Sequence, residues 1–239
     1  MTMHQPDSYR SKREQFIAFI RQHTFAGNKL PKEAEIARIT GMSLGSTREL
    51  LRYMESKGDI TKKPAYGNFI NYSSIKAKLR IDCNEDFLDL IAETGRKPGL
   101  RKGDVCPVDP SQEAFVRTHF LEKMKDSLDL VQMDMTYCGD TQPLVYALFF
   151  FPGNTSLVSS EKTEGPERYW DYYKRYYHHS LIELVPAVCD ETIARQLGLP
   201  AGTPLLVFSE IHYDGYDEII CVSKSYFEPQ VMKLTMVRK

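Results

Sequence analysis

The segment from Leu30 to Gly58 constrains the chain more than any other, because two short helical patterns lie within it with almost nothing between them. Pro31 is tolerated near a helix start, Glu33 and Glu35 follow close to the positive end of the dipole, and Ile36 and Ile39 supply a buried stripe. Thr40-Gly41 stops this helix after two to three turns. Ser43 then caps a second helix over residues 44 to 57, where Thr47, Leu50, Leu51 and Met54 share one apolar face and Gly58 ends the run. Two helices joined through a three- to four-residue turn with a glycine have the helix-turn-helix arrangement, with Arg48 and Arg52 pointing outward from the second. Upstream, Phe16, Ile17, Phe19 and Ile20 recur at helical spacing between Tyr9 and His23 and predict an amphipathic first helix. Downstream, Ile60–Lys63 and Gly67–Ile70 predict two short strands around a Pro64-Ala65-Tyr66-Gly67 turn, a wing.

Charge divides the chain at about the same place. Residues 1–75 hold 12 Lys and Arg against 7 Asp and Glu, a net +5, whereas residues 76–239 hold 19 against 25, a net -6. A basic head on an acidic body implies a polyanionic partner for the head alone. Residues 71–82 lack strong periodicity and predict a linker with some strand character. We therefore divide the 239 residues into a winged helix-turn-helix domain (1–72), a linker (73–82) and a second domain (83–239).

In that second domain Asn84 is expected to cap a helix carrying Phe87, Leu88, Leu90 and Ile91. Patterning then predicts strands at 100–108, 128–138, 143–151, 181–188, 204–213, 218–226 and 233–238, with helices at 110–120, 166–179 and 190–197. Polar and glycine turns such as Tyr213-Asp214-Gly215-Tyr216 argue for antiparallel sheet, so the fold class is α+β. No run approaches the roughly 18 apolar residues of a membrane span, and the polar N-terminus lacks the core of a signal peptide, which points to the cytoplasm. Five scattered cysteines (Cys83, Cys106, Cys138, Cys189, Cys221) without a C-x-x-C pair predict free, mostly buried thiols. Tyr169, Tyr172, Tyr173 and Tyr176 recur at i, i+3, i+4 and i+7, which reads first as packing of an amphipathic helix and second as an aromatic wall. His178 and His179 are adjacent and would diverge on a helix, so no metal site, and no cofactor, is predicted from them.

The stretch from Leu30 through Ile60, followed by Gly67-Asn68-Phe69-Ile70, resembles the winged helix-turn-helix of GntR-family transcription factors over about 45 positions. The remainder resembles the UTRA effector-binding domain of the HutC subfamily, which has a chorismate-lyase-like fold. The segments that carry this are Pro143-Leu144-Val145, Tyr169 with Arg175-Tyr176, Leu197 through Phe208, and Asp214-Gly215 through Ser223-Lys224-Ser225-Tyr226-Phe227. The resemblance implies a homodimer on double-stranded DNA at a palindromic operator, a regulator expected to repress, controlled by a small-molecule effector, with no membrane partner. Carried onto this chain, the DNA-facing set is Lys32, Ser43, Ser46, Thr47, Arg48, Arg52, Lys62, Lys63, Tyr66 and Asn68, groups able to reach phosphates and base edges. Three positions depart from the family pattern: Ala34 and Leu44 where arginine is usual, and Glu49 where a second arginine follows the first. These changes imply an altered operator, or a head that has lost sequence-specific binding.

The effector-binding set departs further. The positions where phosphosugar-binding relatives carry an arginine pair, a glutamate, a serine and a late glutamate fall at Met135 and Tyr137, Ala147, Glu167 and Cys221. No cationic clamp remains among them, and Glu167 at a helix start repels phosphate, so the effector is predicted not to be a sugar phosphate. Met135, Tyr137, Phe149, Cys221, Ser223 and Tyr226 instead offer apolar surface and hydroxyls. Two alternatives remain open: a metabolite-binding or redox-sensing protein with a degenerate head, using Cys221 or Cys138, and a chorismate-lyase-like enzyme. No nucleotide-binding, nucleophile-elbow or zinc-protease motif supports catalysis, and no catalytic residue is assigned.

Overall fold

The computed structural model describes residues 7–83, 86–109, 115, 116, 118, 130–153 and 164–238, with side chains from residue 11 onward. It divides into two compact units, Met1–Glu85 with Leu234–Lys239, and Asp86–Lys233.

The first unit opens with helix α1 (Asp7–Gln22), followed by α2 (Glu33–Thr40) and α3 (Leu44–Ser56). Gly41 adopts the left-handed conformation (φ 71°) that a side chain disfavours, ending α2, and two residues later the Ser43 hydroxyl accepts from the Ser46 amide at 3.1 Å to start α3. Strands β1 (Ile60–Lys63) and β2 (Gly67–Ile70) pair antiparallel with Ile60 opposite Ile70, forming the wing. Phe16, Ile20, Ile36, Leu50, Met54, Ile60, Ile70 and Ile75 close into one apolar core. Ile39, expected inside, is exposed instead. The segment read as linker contains a one-turn helix, α4 (Tyr72–Lys76), whose Ile75 belongs to that core.

Beneath α3 lies a charge cluster that periodicity does not reveal. The fully buried Asp59 accepts from Arg13 Nε (2.6 Å), Arg80 Nη1 (2.6 Å) and the Ser74 hydroxyl (2.9 Å). Arg80, 2% exposed, also donates to the Lys57 carbonyl at 2.5 Å and forks onto Asp82. Burial alone would lower both arginine pKa values, yet hydrogen bonding and the facing carboxylates hold them above the ordinary value; burial opposes the charge of Asp82 too, and Arg80 keeps its pKa low. Residues 233–238, expected as a strand, form only a single parallel bridge, Arg80 with Thr235, fixed by Ile81 N to Thr235 O and Thr235 N to Leu79 O.

The second unit begins with α5 (Phe87–Glu93), capped by Asp86, whose carboxylate accepts from the Leu88 amide. The expected cap, Asn84, lies outside the described residues, as does most of the helix expected at 110–120. Strands β3 (Pro98–Val108), β4 (Leu130–Gly139), β5 (Gln142–Pro152), β6 (His179–Val188), β7 (Pro204–Tyr213) and β8 (Ile219–Phe227) form one antiparallel sheet in the order β3-β4-β5-β8-β7-β6. Helix α6 (Gly165–Tyr176) packs its aromatic stripe on one face, Tyr169 and Tyr172 against Phe151. Helix α7 (Glu191–Leu197) packs on the other, with Ile193 and Leu197 among Tyr146 and Leu205. Helix α6 stops at Tyr176, short of the expected 179, so His179 starts β6.

Replacing Asp59 with alanine leaves two guanidinium groups buried without their shared acceptor, and we expect it to cost about 3–5 kcal/mol. Amide hydrogen exchange in α1 and α3 checks this, because Trp170, the chain's one tryptophan, reports on the other unit.

Candidate functional site

On the head, the structure brings part of the predicted DNA-facing set together. Arg48, Arg52, Lys62 and Asn68, with Glu33, Leu51 and Glu55, line a depression of about 170 Å³ between α2, α3 and the wing. Arg48 Nε donates to Glu33 Oε2 at 2.8 Å, an exposed pair that fixes the guanidinium direction at small energetic gain. Lys63 lies over the Phe69 ring at 5.0 Å, and Tyr66, 70% exposed, projects from the wing tip, where Ala65 takes a left-handed φ of 64°. Lys32 is exposed at the start of α2, and Ser43 and Ser46 are engaged with each other at the start of α3. Thr47 is a correction: it is fully buried and its hydroxyl donates to the Ser43 carbonyl at 3.0 Å, so it packs α3 rather than facing outward. The departing residues Ala34, Leu44 and Glu49 are all exposed.

In the sheet, strand register sorts the predicted effector residues by face. Met133, Phe149, Ser223 and Glu210 are successive cross-strand partners, and Met135, Ala147, Ser225 and Phe208 form the next row. Alternation puts Tyr137, Phe151, Cys221 and His212 on this same face, the one that α6 covers. Tyr226 is a second correction. It stands one residue out of phase with Ser223 and Ser225, packing near Tyr146 and the α7 cluster on the reverse face. Glu167, at the start of α6, is neutralised by Lys102 Nζ at 2.6 Å, a partner that sequence reading missed; Lys102 also sits 5.9 Å from the Trp170 ring.

The centre of this face holds a directed hydrogen-bond chain. His212 is buried, and burial pulls its pKa down to about 3, so the ring is neutral. The Tyr173 hydroxyl, turned inward, lies 3.3 Å from His212 Nδ1, and His212 Nε2 lies 2.8 Å from Ser223 Oγ. Glu210 needs hydroxyl donors, and Ser223 and Ser180 both hydrogen-bond to it. One direction satisfies all members: Tyr173 donates to Nδ1, Nε2–H donates to Ser223, and Ser223 and Ser180 donate to Glu210. Burial pushes Glu210 up to about 7 despite those two donors. Phe149 completes the surround, 5.7 Å from Tyr173 and 5.8 Å from His212 between ring centroids. Sequence reading missed Glu210 and His212 because a charged residue and a histidine in an apolar strand carry no signal until the strand's neighbours are known.

Cys221 and Cys138 are buried, and burial raises the Cys221 thiol far above its ordinary pKa, the opposite of an activated thiolate. Among the described residues no group of three His, Cys, Asp or Glu is placed to hold a metal ion, and no helix is long and apolar enough to cross a membrane.

Residues 123–233 match the UTRA domain family. The matched segment lies within the second unit. Its whole fold is similar to YydK of Bacillus subtilis subsp. subtilis str. 168, described as a possible transcriptional regulator, at 18% identity and a TM-score of 0.64, covering 97% of this chain and 99% of that one. PhnF of Mycobacterium smegmatis is similar at 15% identity and a TM-score of 0.54, covering 97% and 99%. A protein provisionally assigned to the GntR family of transcriptional regulators matches at 10% identity and a TM-score of 0.50, covering 97% and 96%. A winged helix-turn-helix followed by a six-stranded antiparallel sheet is thus the architecture of this chain, and it shares its fold with these solved structures.

The Glu210 carboxyl titrates near 7 folded and near the ordinary glutamate value unfolded, so the folded state holds an extra proton between those limits. Its stabilising contribution is complete below about 4.5 and lost as the pH rises through about 7. Relative to Glu210→Gln, the wild-type protein should therefore lose stability across this window, by up to about 3 kcal/mol. Urea unfolding of the two proteins at pH 5 and pH 7.5 measures the difference.

Proposed function

We propose that this UTRA protein is a homodimeric, DNA-binding transcriptional regulator of the cytoplasm, not an enzyme, that binds a palindromic operator and answers to a small-molecule effector. The carrying observation is the convergence of Arg48, Arg52, Lys62 and Asn68 on one concave surface beside the capped helix α3. Guanidinium groups there reach guanine edges in a major groove, and wing lysines neutralise phosphates. Lys32, Ser43, Ser46, Lys63 and Tyr66 extend this surface. The expected mode is repression, with effector binding shifting the balance between two placements of the heads; the shift is limited by the effector's differential affinity for them.

The effector site is the α6-covered sheet face with Met135, Tyr137, Ala147, Phe149, Cys221 and Ser223, and Glu167 stands at its rim. A sugar phosphate is disfavoured: Lys102 is already held by Glu167, and the central charge is the carboxyl of Glu210. The same anionic centre disfavours a chorismate-lyase-like activity, whose dicarboxylate substrate needs a cationic clamp.

Dimerisation through the sheet is supported by β6, which ends the strand order and exposes Leu181, Ile182, Leu184, Val185 and Val188. An edge of this length with apolar side chains on both faces is an invitation to pairing. Pro186 lies on the same strand, so pairing is expected over its first half. A Leu181→Lys, Leu184→Lys double variant should sediment as a monomer; a dimer of unchanged strength would place the interface elsewhere.

A second reading, a metabolite-binding protein with a degenerate head, draws on exposed Glu49 and on the Arg48 guanidinium being tied to Glu33. Selection from random duplex DNA separates the two. The regulator should recover a palindromic site with affinity falling steeply with salt. Arg48→Ala should then weaken that site by about 1–3 kcal/mol without unfolding the protein. Weak, sequence-independent binding supports the degenerate head.

A further inference from the structure

We infer that the effector is a primary amine, whose ammonium group binds between Glu210 and Ser225 with an apolar or aromatic body against the surrounding rings. This rests on the reading of the α6-covered face as the effector site. Two independent observations carry it. The first is the Glu210 carboxylate, 7% exposed, whose hydrogen bonds come from two hydroxyls, Ser180 and Ser223. A carboxylate accepts at about four positions, so two hydroxyl donors leave capacity for a charged donor, and a buried anion is stabilised most by a paired cation. Among the described residues the titratable groups around it supply none: His212 is neutral, and Tyr137, Tyr173 and Cys221, which feel its charge, are acids.

The second observation is the Ser225 hydroxyl, fully buried and without a hydrogen-bond partner among the described residues. Such a group costs about 1–3 kcal/mol to leave unsatisfied. Ser225 is diagonal to Glu210 across the β7–β8 ladder, on the same face, a separation of about 7 Å at which one ammonium group reaches toward both. Its row neighbour is Ala147, whose methyl is the smallest side chain in the row Met135-Ala147-Ser225-Phe208. An ammonium has three donors, enough for both carboxylate oxygens and the hydroxyl. The rings of Phe149, Tyr173 and Phe208 stand beside this floor, the surface that an alkylammonium or arylalkylammonium body matches. Carboxylates and phosphates meet the charge of Glu210 and are rejected.

The test uses the full chain at pH 7.5 with butylamine, benzylamine and 2-phenylethylamine, each beside the alcohol and the carboxylate of the same skeleton. Calorimetry and thermal shift should find at least one amine binding tenfold or more tighter than both counterparts. Glu210→Gln should abolish that preference and Ser225→Ala should weaken the amine several-fold, with near-UV circular dichroism unchanged in each. Amine affinity should also fall as the pH drops below about 7, because the carboxyl proton must leave first. No preference for any amine over its alcohol, a preference that survives Glu210→Gln, or tightest binding of a carboxylate overturns the inference. Release of a selected operator by a metabolite without an amine would overturn it too, while leaving the regulator reading intact. A preference for amines in a chain that selects no operator would instead uphold the ligand class and remove the regulator.

Discussion

Burying the Asp59 carboxylate under α3 costs several kcal/mol of desolvation, which is recovered only if every lone pair finds a donor. Arg13 from α1, Arg80 from the end of the chain's first unit, and Ser74 from α4 supply them. The anion therefore dictates where three separate segments meet. The Asp59 amide donates to the Met54 carbonyl, and the Asn71 amide donates to the Asp59 carbonyl, so the backbone at this corner is fixed as firmly as the side chain. The direction of α3, and with it the aim of Arg48 and Arg52, depends on this corner.

Arg80 extends the same constraint to the chain's other end. Its guanidinium serves Asp59 and the Lys57 carbonyl, while its backbone bridges Thr235, and the Thr235 hydroxyl donates to the Lys78 carbonyl. The chain thus passes between its two units twice, once near residue 86 and once near residue 233, and both passages end within one hydrogen-bonded group of the head.

The six-stranded sheet shows a different economy of polar groups. A wholly apolar face would pack more stably than one holding Glu210, His212, Ser180, Ser223 and Ser225, since each buried polar group must be satisfied or it destabilises the fold. Four of the five are satisfied by one chain of hydrogen bonds with a single consistent proton direction, and Ser225 is not. Polar groups concentrated at the centre of an aromatic face are what a binding floor requires, whereas α7 rests on an apolar cluster of the reverse face.

Local interactions made the head legible in the sequence. A cap at Ser43, a left-handed glycine at Gly41 and period-3.6 apolar residues act within one or two turns, so they are written in consecutive residues and survive without knowledge of the rest. Patterning likewise marked β7 and β8, and helical spacing the aromatic stripe of α6. What the sequence left undecided is everything set by long-range pairing. Tyr226 reads with Ser223 as part of one face, yet in a strand one residue of phase turns a side chain to the other; Thr47 keeps the buried place that its helical stripe gives it rather than the outward one that the resemblance implies. Glu210 and His212 met Ser223 only when β8 inserted between β5 and β7, and Lys102 met Glu167 only across 65 residues. By itself the sequence determined most of the described helices, strands and turns, since those follow from neighbours along the chain, but not α4 or the lone bridge at Thr235. Only the tertiary structure decided which polar groups share a buried face, because register and strand order are chosen by contacts between distant segments.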